Sequence, residues 1–118
     1  MKGRESRPIR RKTLTNLTIY IIKSLIMETL FTPAFRRFVK KQSAPLLLAV
    51  QDEVDRIIAD PDIGESKKGD LTGFRVHKFR FHRQEYLIAY ESGDEHLLFV
   101  MIGPHENFYR DLKNYQRE

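Results

Sequence analysis

The chain has 118 residues, no cysteine and a formal net charge of +5. This length supports one hydrophobic core but not two, and without cysteine neither a disulfide framework nor a thiolate metal site is available. The four histidines lack the spacing of zinc enzymes, so neither a metal nor a cofactor is expected. The longest mostly apolar run, residues 14–35, contains Asn16, Lys23 and Glu28, which disfavours a membrane span and favours a soluble protein.

The basic excess lies at the N-terminus. Residues 1–26 hold seven Lys or Arg against Glu5 alone, a charge of +6, whereas residues 27–118 hold fourteen against fifteen acidic residues, a charge of −1. Within the second part, residues 67–83 hold six basic side chains against Asp70. A local basic surface of this kind suits a phosphate backbone, and it equally suits a solvated pair of strands.

The first 26 residues differ from the rest and divide the chain into an extension, 1–26, and a domain, 27–118. The extension is basic up to Lys12 and apolar from Leu14 to Ile26, as in a weak signal peptide, but Lys23 interrupts the apolar part and no small-residue cleavage site follows. Two other interpretations remain open. Translation starts naturally at Met27, or the extension forms a helix or strand that docks on the core.

From Met27 the sequence predicts a strand and then a helical hairpin. Residues 27–32 alternate like a strand, and Thr32-Pro33 is typical of a helix cap followed by proline at the first helical position. A longer helix begins at Ser43 or Ala44 and carries an apolar stripe until Asp60-Pro61 stops it.

Three strands and a last helix follow the loop 62–70. Strand patterns cover residues 74–81, 85–91 and 95–103, with turn residues between them, which predicts an antiparallel meander. The predicted fold is therefore α+β in the order β-α-α-β-β-β-α. A helical hairpin packs on a small, mainly antiparallel sheet, and a C-terminal helix closes the domain.

The junction after the last strand brings a histidine and a tyrosine together. If Pro104 takes the first helical position, His105 falls in the first turn and Tyr109 lies four residues later on the same face. The positive end of a helix dipole disfavours imidazolium there, so this geometry favours a neutral imidazole that can accept a proton. Taken alone, His105 is better explained as a plain surface residue at a helix start. Tyr109 equally suits a half-buried packing position.

Four segments in this order resemble the RelE/ParE superfamily, the toxins of type II toxin-antitoxin pairs. They are residues 31–38, 68–76, 85–90 and 102–109, and the resemblance extends over residues 27–115. It implies a cytoplasmic bacterial protein that binds a cognate antitoxin. RelE-like and YafQ-like members are mRNA interferases, metal-independent endonucleases that cut messenger RNA on the ribosome and inhibit translation, whereas ParE-like members inhibit DNA gyrase without catalysis.

The resemblance to YafQ-like toxins assigns the site residues. It implies a catalytic set of His105, Tyr109, Arg75 and Arg80, with Lys78 as a phosphate contact. His77 and His82 are secondary RNA-binding candidates, because other RNA-cleaving members use more than one histidine, although a strand or turn histidine is more often merely exposed. Lys67 and Lys68 are RNA-binding candidates from their loop position, where ordinary solvation is the default explanation. Strand alternation places Lys78 and Arg80 on one face of the sheet and Arg75 on the other, unless a bulge intervenes. One departure from the family pattern is Met101, which stands where YafQ-like toxins tend to carry arginine. If neither Arg75 nor Arg80 replaces that arginine, a weak nuclease or an inactive relative is a further interpretation. An unrelated nucleic-acid-binding α+β module also remains open beside RNA cleavage and gyrase inhibition.

Overall fold

The computed structural model of the protein describes residues 27–117. Its elements are β1 (Glu28–Phe31), α1 (Pro33–Lys40), α2 (Ala44–Ala59), β2 (Glu65–Ser66), a single 3₁₀ turn (Gly69–Leu71), β3 (Arg75–Phe81), β4 (Gln84–Ser92), β5 (His96–Pro104) and α3 (Phe108–Arg117). The predicted class and element order are confirmed, with the two-residue strand β2 added. No helix within residues 27–117 is long and apolar enough to cross a membrane. The predictions for residues 1–26 lie outside the described residues.

Both helices of the hairpin begin where their caps predict. The Thr32 hydroxyl accepts a hydrogen bond from the Phe35 N–H at 3.1 Å and donates to the carbonyl of Val100 at 2.6 Å. This second bond ties the start of α1 to β5. The Ser43 hydroxyl accepts from the Leu46 N–H at 3.4 Å and caps α2.

The sheet has five strands in the order β1-β5-β4-β3-β2, and each of its faces carries one helical layer. β1 runs parallel to β5, and the other neighbours are antiparallel. The hairpin covers one face, which we call the hairpin face; its core includes Val50, Ile57, Phe79, Tyr90 and Phe99. α3 covers part of the opposite face through Phe108 and Leu112, and we call this the open face because α3 leaves its β3 end exposed.

A β-bulge in β5 reverses the direction of the side chains that follow it. Tyr90 pairs with Phe99 and Ala89 with Met101, so Val100 is the extra residue. Val100 and Met101 therefore both join the core under α3, while Ile102 returns to the hairpin face. Without the bulge, strict alternation from Phe99 would direct the side chain of residue 105 to the hairpin face. With the bulge, that side chain is directed to the open face.

The connection between β3 and β4 is a two-residue turn made of His82 and Arg83. Phe81 pairs with Gln84, and the two turn residues have φ values of 50° and 69°. Two consecutive positive φ angles are typical of a type I′ turn, in which Asn-Gly is preferred because other L-residues meet steric strain. The turn therefore carries backbone strain at both positions.

Replacing Arg83 by glycine is expected to stabilise the protein by about 1 kcal/mol, because glycine adopts a positive φ without a Cβ clash. Urea unfolding measures the change as an increase in the free energy of unfolding. Arg83→Ala is the matched control, since it removes the same side chain but keeps the Cβ. Equal stability of the two variants would contradict the assignment of strain to this turn.

The Tyr90 hydroxyl holds the loop that precedes β2. It donates a hydrogen bond to the carbonyl of Pro61 at 2.6 Å and accepts one from the N–H of Gly64 at 2.9 Å. Burial of the phenol raises the pKa of Tyr90. A Cβ on Gly64 would lie 2.7 Å from the Tyr90 hydroxyl oxygen, so only glycine allows the backbone to come this close to the phenol. The loop leads through β2 to Lys67.

Candidate functional site

His105 lies before the last helix and not in its first turn, so the prediction for Pro104 and His105 is wrong. β5 continues to Pro104, which pairs with Tyr86, and the N–H of His105 donates to the carbonyl of Glu85 at 2.9 Å. A turn containing Asn107, with φ 67°, then leads into α3 at Phe108. Pairing with β4 thus extends the strand past the proline. The helix-dipole argument does not apply to His105.

The turn nevertheless brings His105 and Tyr109 together. Their ring centroids are 6.2 Å apart with an interplanar angle of 83°, an edge-to-face contact. His105 is exposed and Tyr109 is half-buried, where it packs edge-on against Phe108 at 5.5 Å. The side chain of Tyr109 is thereby held in place by the core under α3, with its ring beside an accessible imidazole.

Lys67 reaches the same tyrosine from the loop after β2. Its ammonium nitrogen lies 5.0 Å from the centre of the Tyr109 ring, within cation–π distance. The Glu65 carboxylate holds the ammonium at 3.1 Å. This hydrogen bond lowers the pKa of Glu65 and raises the pKa of Lys67, so both groups keep their charges.

A groove of about 590 Å³ opens beside Tyr109. Its lining combines one aromatic ring with three lysines, two carboxylates and two small or apolar side chains: Tyr109, Lys67, Lys68, Lys113, Glu65, Asp70, Ser66 and Leu71. An aromatic wall next to several cations is the combination that binds a base and its flanking phosphates in single-stranded nucleic acid. Lys113 was not recognised from the sequence as a residue of this site.

Lys78 and Arg80 lie on the open face, as alternation predicts, and both are exposed. Lys78 is close enough to Glu65 to contribute to the lowered pKa of that carboxyl. Arg80 donates from Nη2 to the carbonyl of Arg83 at 2.9 Å, so its guanidinium lies over the β3–β4 turn. The two cations extend the basic surface from the groove along β3.

Arg75 is on the hairpin face, away from His105, and its guanidinium is already engaged. It donates to the carbonyl of Gly64 at 2.7 Å and lies 3.5 Å from the Asp62 carboxylate. The pairing of β3 with β4 contains no bulge that would turn Arg75 around. The structure therefore does not bring Arg75 and Arg80 to one site, and Arg75 instead secures the loop before β2.

The two secondary histidines also lie away from His105. His77 is on the hairpin face, where Nε2 lies 2.7 Å from the Glu53 carboxylate of α2. His82 occupies the β3–β4 turn, and its ring stacks on Phe81 with the centroids 4.0 Å apart. Lys68, by contrast, lines the groove at Tyr109.

One further residue on the open face was not predicted. Glu85 lies directly opposite Arg80 in the pairing of β3 with β4, and its carbonyl accepts the N–H of His105. The pattern of β4 indicates that Glu85 shares a face with Leu87, which lies in the core under α3. The face of the sheet that carries Glu85 could therefore have been predicted from the sequence. Its neighbours on the adjacent strands could not, because they depend on strand register.

The fold and site describe a small α+β protein with a basic open sheet face and a histidine–tyrosine pair at its edge. Residues 29–113 match the family model described as the ParE-like toxin of type II bacterial toxin-antitoxin systems. This match covers well over half of the chain. The protein belongs to this family and is a type II toxin of the RelE/ParE superfamily.

Solved structures of RelE toxins share the fold. A free mutant of E. coli RelE with two arginines replaced by alanine aligns with a TM-score of 0.61 and 13% identity, over 78% of this chain and 97% of that one. A chain of the intact E. coli RelBE toxin-antitoxin complex aligns with a TM-score of 0.57 and 16% identity, over 68% of this chain and 98% of that one. The isolated E. coli RelE toxin gives 0.53 and 14%, over 75% and 98%. No curated protein sequence matches the chain.

Proposed function

We propose that this toxin inhibits translation as an endonuclease that cuts messenger RNA on the ribosome. The observation that carries the proposal is the cluster of His105, Tyr109 and Lys67, in which an exposed imidazole, an aromatic ring and an ammonium group meet on the open face. The cations Lys78 and Arg80 continue this surface along β3. Such a surface suits a single RNA strand that is held by its phosphates and by base stacking.

The chemistry of RNA cleavage fits these residue types. The 2′-oxygen attacks the adjacent phosphorus, the bond from phosphorus to the 5′-oxygen breaks, and a 2′,3′-cyclic phosphate and a 5′-hydroxyl end are formed. In this proposal His105 transfers a proton at one of the two oxygens, and Lys67 and Arg80 offset the negative charge that develops on the phosphoryl oxygens. Tyr109 offers a face for base stacking.

A cognate antitoxin is the expected protein partner, as RelB is of RelE in the E. coli complex. The hairpin offers it an apolar groove of about 400 Å³ beside β1, which is one of the two edge strands of the described sheet. The apolar side chains that line this groove are Phe31, Phe35, Val39, Leu47, Val50 and Val54. An amphipathic or extended segment of the antitoxin fits a groove of this composition.

Inhibition of DNA gyrase is the second candidate function, and two observations favour it. The matching family model is described as ParE-like. Met101, at the position where the resemblance to YafQ-like toxins leads us to expect arginine, is half-buried in the core under α3 and supplies no cation. In this alternative, the open face and the hairpin form a protein interface, and His105 has no chemical role.

Primer extension on messenger RNA in a reconstituted translation system tests the proposal. We expect cuts within ribosome-bound codons, no cuts in the same message without ribosomes, and suppression of cutting by the cognate antitoxin. A supercoiling assay with purified gyrase is run in parallel on the same protein. An intact message together with loss of supercoiling would reject RNA cleavage in favour of gyrase inhibition.

A further inference from the structure

The apolar groove of the hairpin beside β1, which we call the hairpin groove, is only partly covered within residues 27–117. Phe31, Val39 and Leu47 line it and are half-buried, although all three are large and apolar. Its volume of about 400 Å³ accommodates several side chains. A contiguous apolar surface of this kind marks an interaction site on a folded domain.

The extension, residues 1–26, ends next to this groove. Met27 packs against the core of the hairpin face, and strand alternation places it on the same side of β1 as Phe31. The two are four positions apart, a distance of roughly 13 Å along a strand. The N–H of Glu28 donates to the carbonyl of Glu95 at 2.9 Å, which ties this point of the chain to the sheet. The chain before Met27 therefore starts on the side of the sheet that carries the hairpin groove.

The second half of the extension has the composition of a segment that packs against an apolar surface. Residues 14–26 contain seven Leu or Ile, and Lys23 is their only charged residue. Leu17, Ile21 and Leu25 recur every four residues, the spacing that puts side chains on one face of a helix. A helix of this length spans about 20 Å, and an extended chain spans more, so the segment is long enough to reach the groove.

The charges of the extension complement those beside the groove. Residues 2–12 hold six Lys or Arg against Glu5 alone. On α2, Gln51 lines the groove and donates to the carboxylate of Asp55 at 3.4 Å, and the next residue, Asp52, is exposed. The acidic side of α2 thus borders the apolar lining. Electrostatic complementarity of this kind favours a basic segment over an acidic one at this surface.

We propose that residues 14–26 fold back over the hairpin groove of their own molecule. The apolar side chains of this segment cover Phe31, Val39 and Leu47, and the basic residues before it lie toward the acidic side of α2. The groove is the surface assigned above to the antitoxin, so the extension and the antitoxin exclude each other there. This last consequence rests on the proposed antitoxin surface, whereas the docking of the extension stands without it.

Disulfide crosslinking in the full chain tests the docking, because the protein has no cysteine of its own. Gln51→Cys, on the groove lining, is combined in turn with Leu17→Cys and with Ile21→Cys, and the oxidised proteins are analysed by electrophoresis without reductant and by mass spectrometry. We expect an intramolecular disulfide with at least one of the two. Arg110→Cys replaces Gln51→Cys in the matched control, since Arg110 is exposed on α3, on the opposite face of the sheet, and no crosslink is expected there.

A second experiment removes the apolar character of the segment and leaves the domain unchanged. Leu17→Asp combined with Ile21→Asp is expected to expose the groove. The variant should bind more of the fluorescent probe ANS, and hydrogen exchange at residues 47–54 should be several-fold faster than in the wild type. Asn16→Asp combined with Ser24→Asp adds the same charge at polar positions and is the matched control, for which no change is expected.

Any of four results overturns the proposal. If Gln51→Cys forms no crosslink and hydrogen exchange is unchanged in the Leu17→Asp, Ile21→Asp variant, the extension does not cover the groove. Equal crosslinking to Arg110→Cys indicates random contact. Crosslinks that form only between molecules assign the groove to the extension of a second copy. A mature protein whose mass shows an N-terminus at Met27 lacks the segment altogether. Because none of these experiments measures RNA cleavage, their failure leaves the proposed function standing.

Discussion

Replacing His105 by glutamine is expected to reduce messenger RNA cleavage by a factor of about 10² to 10⁴, the contribution of a positioned acid or base to proton transfer. Glutamine keeps hydrogen-bonding capacity and similar size but cannot give or take a proton at the reacting oxygen. His105 is exposed, and its backbone N–H, which pairs with Glu85, remains in the variant. We therefore expect the fold and thermal stability to stay unchanged. The measurement is the single-turnover rate by primer extension.

His82→Gln is the matched control for this prediction. His82 is also exposed and follows the last residue of β3, but its ring stacks on Phe81 and lies away from the contact of His105 with Tyr109. The His82→Gln variant should cleave messenger RNA at the wild-type rate. If His105→Gln retains full cleavage, or if both variants lose it equally, the assignment of His105 is wrong. If His105→Gln retains full toxicity in cells while gyrase is inhibited, the protein acts as the ParE-like alternative predicts.

Removing the hydroxyl of Tyr90 is expected to lower the free energy of unfolding by roughly 2 kcal/mol. The reason is that two backbone groups, one donor and one acceptor, lose a buried hydrogen-bond partner. Those groups are the N–H of Gly64 and the carbonyl of Pro61. For a domain of this size the change corresponds to a decrease in Tm of about 10 °C. Thermal and urea unfolding of Tyr90→Phe give the two values.

The effect should be concentrated in the loop before β2. Hydrogen exchange in Tyr90→Phe is expected to accelerate first at residues 62–64, since the Tyr90 hydroxyl and the Arg75 guanidinium tie this loop to the sheet. Tyr86→Phe is the control, because the Tyr86 hydroxyl forms no hydrogen bond within residues 27–117 and its ring packs on Phe79 and Phe38. A uniform acceleration over the whole sheet, or equal destabilisation by both variants, would contradict a local role for Tyr90.

The helical hairpin could be predicted almost to the residue because its signals are local. Thr32 and Ser43 cap their helices through hydrogen bonds to N–H groups three residues later, and the helix stop at Asp60-Pro61 is likewise encoded by neighbouring residues. Strand alternation likewise separated Arg75 from Lys78 and Arg80. Interactions between residues that are close in the sequence can be predicted from the sequence alone.

The same local rules gave the wrong result at His105. Gly103-Pro104 is a good helix start when taken alone, but the backbone of β4 pairs with this segment through Pro104 and keeps it extended. The hydrogen bond from His105 to Glu85 continues that pairing. Long-range strand pairing overrode a local preference, and the helix begins only at Phe108.

The sequence by itself determined the α+β class, the order of the elements and the face occupied by each cation of β3. Tertiary structure alone decided which residues meet at the site. The bulge at Val100 turns His105 toward the open face, and the register of β3, β4 and β5 places Glu85 between Arg80 and His105. The reason is physical: caps and alternation depend on nearby atoms, whereas bulges and register depend on how both faces of the sheet are packed.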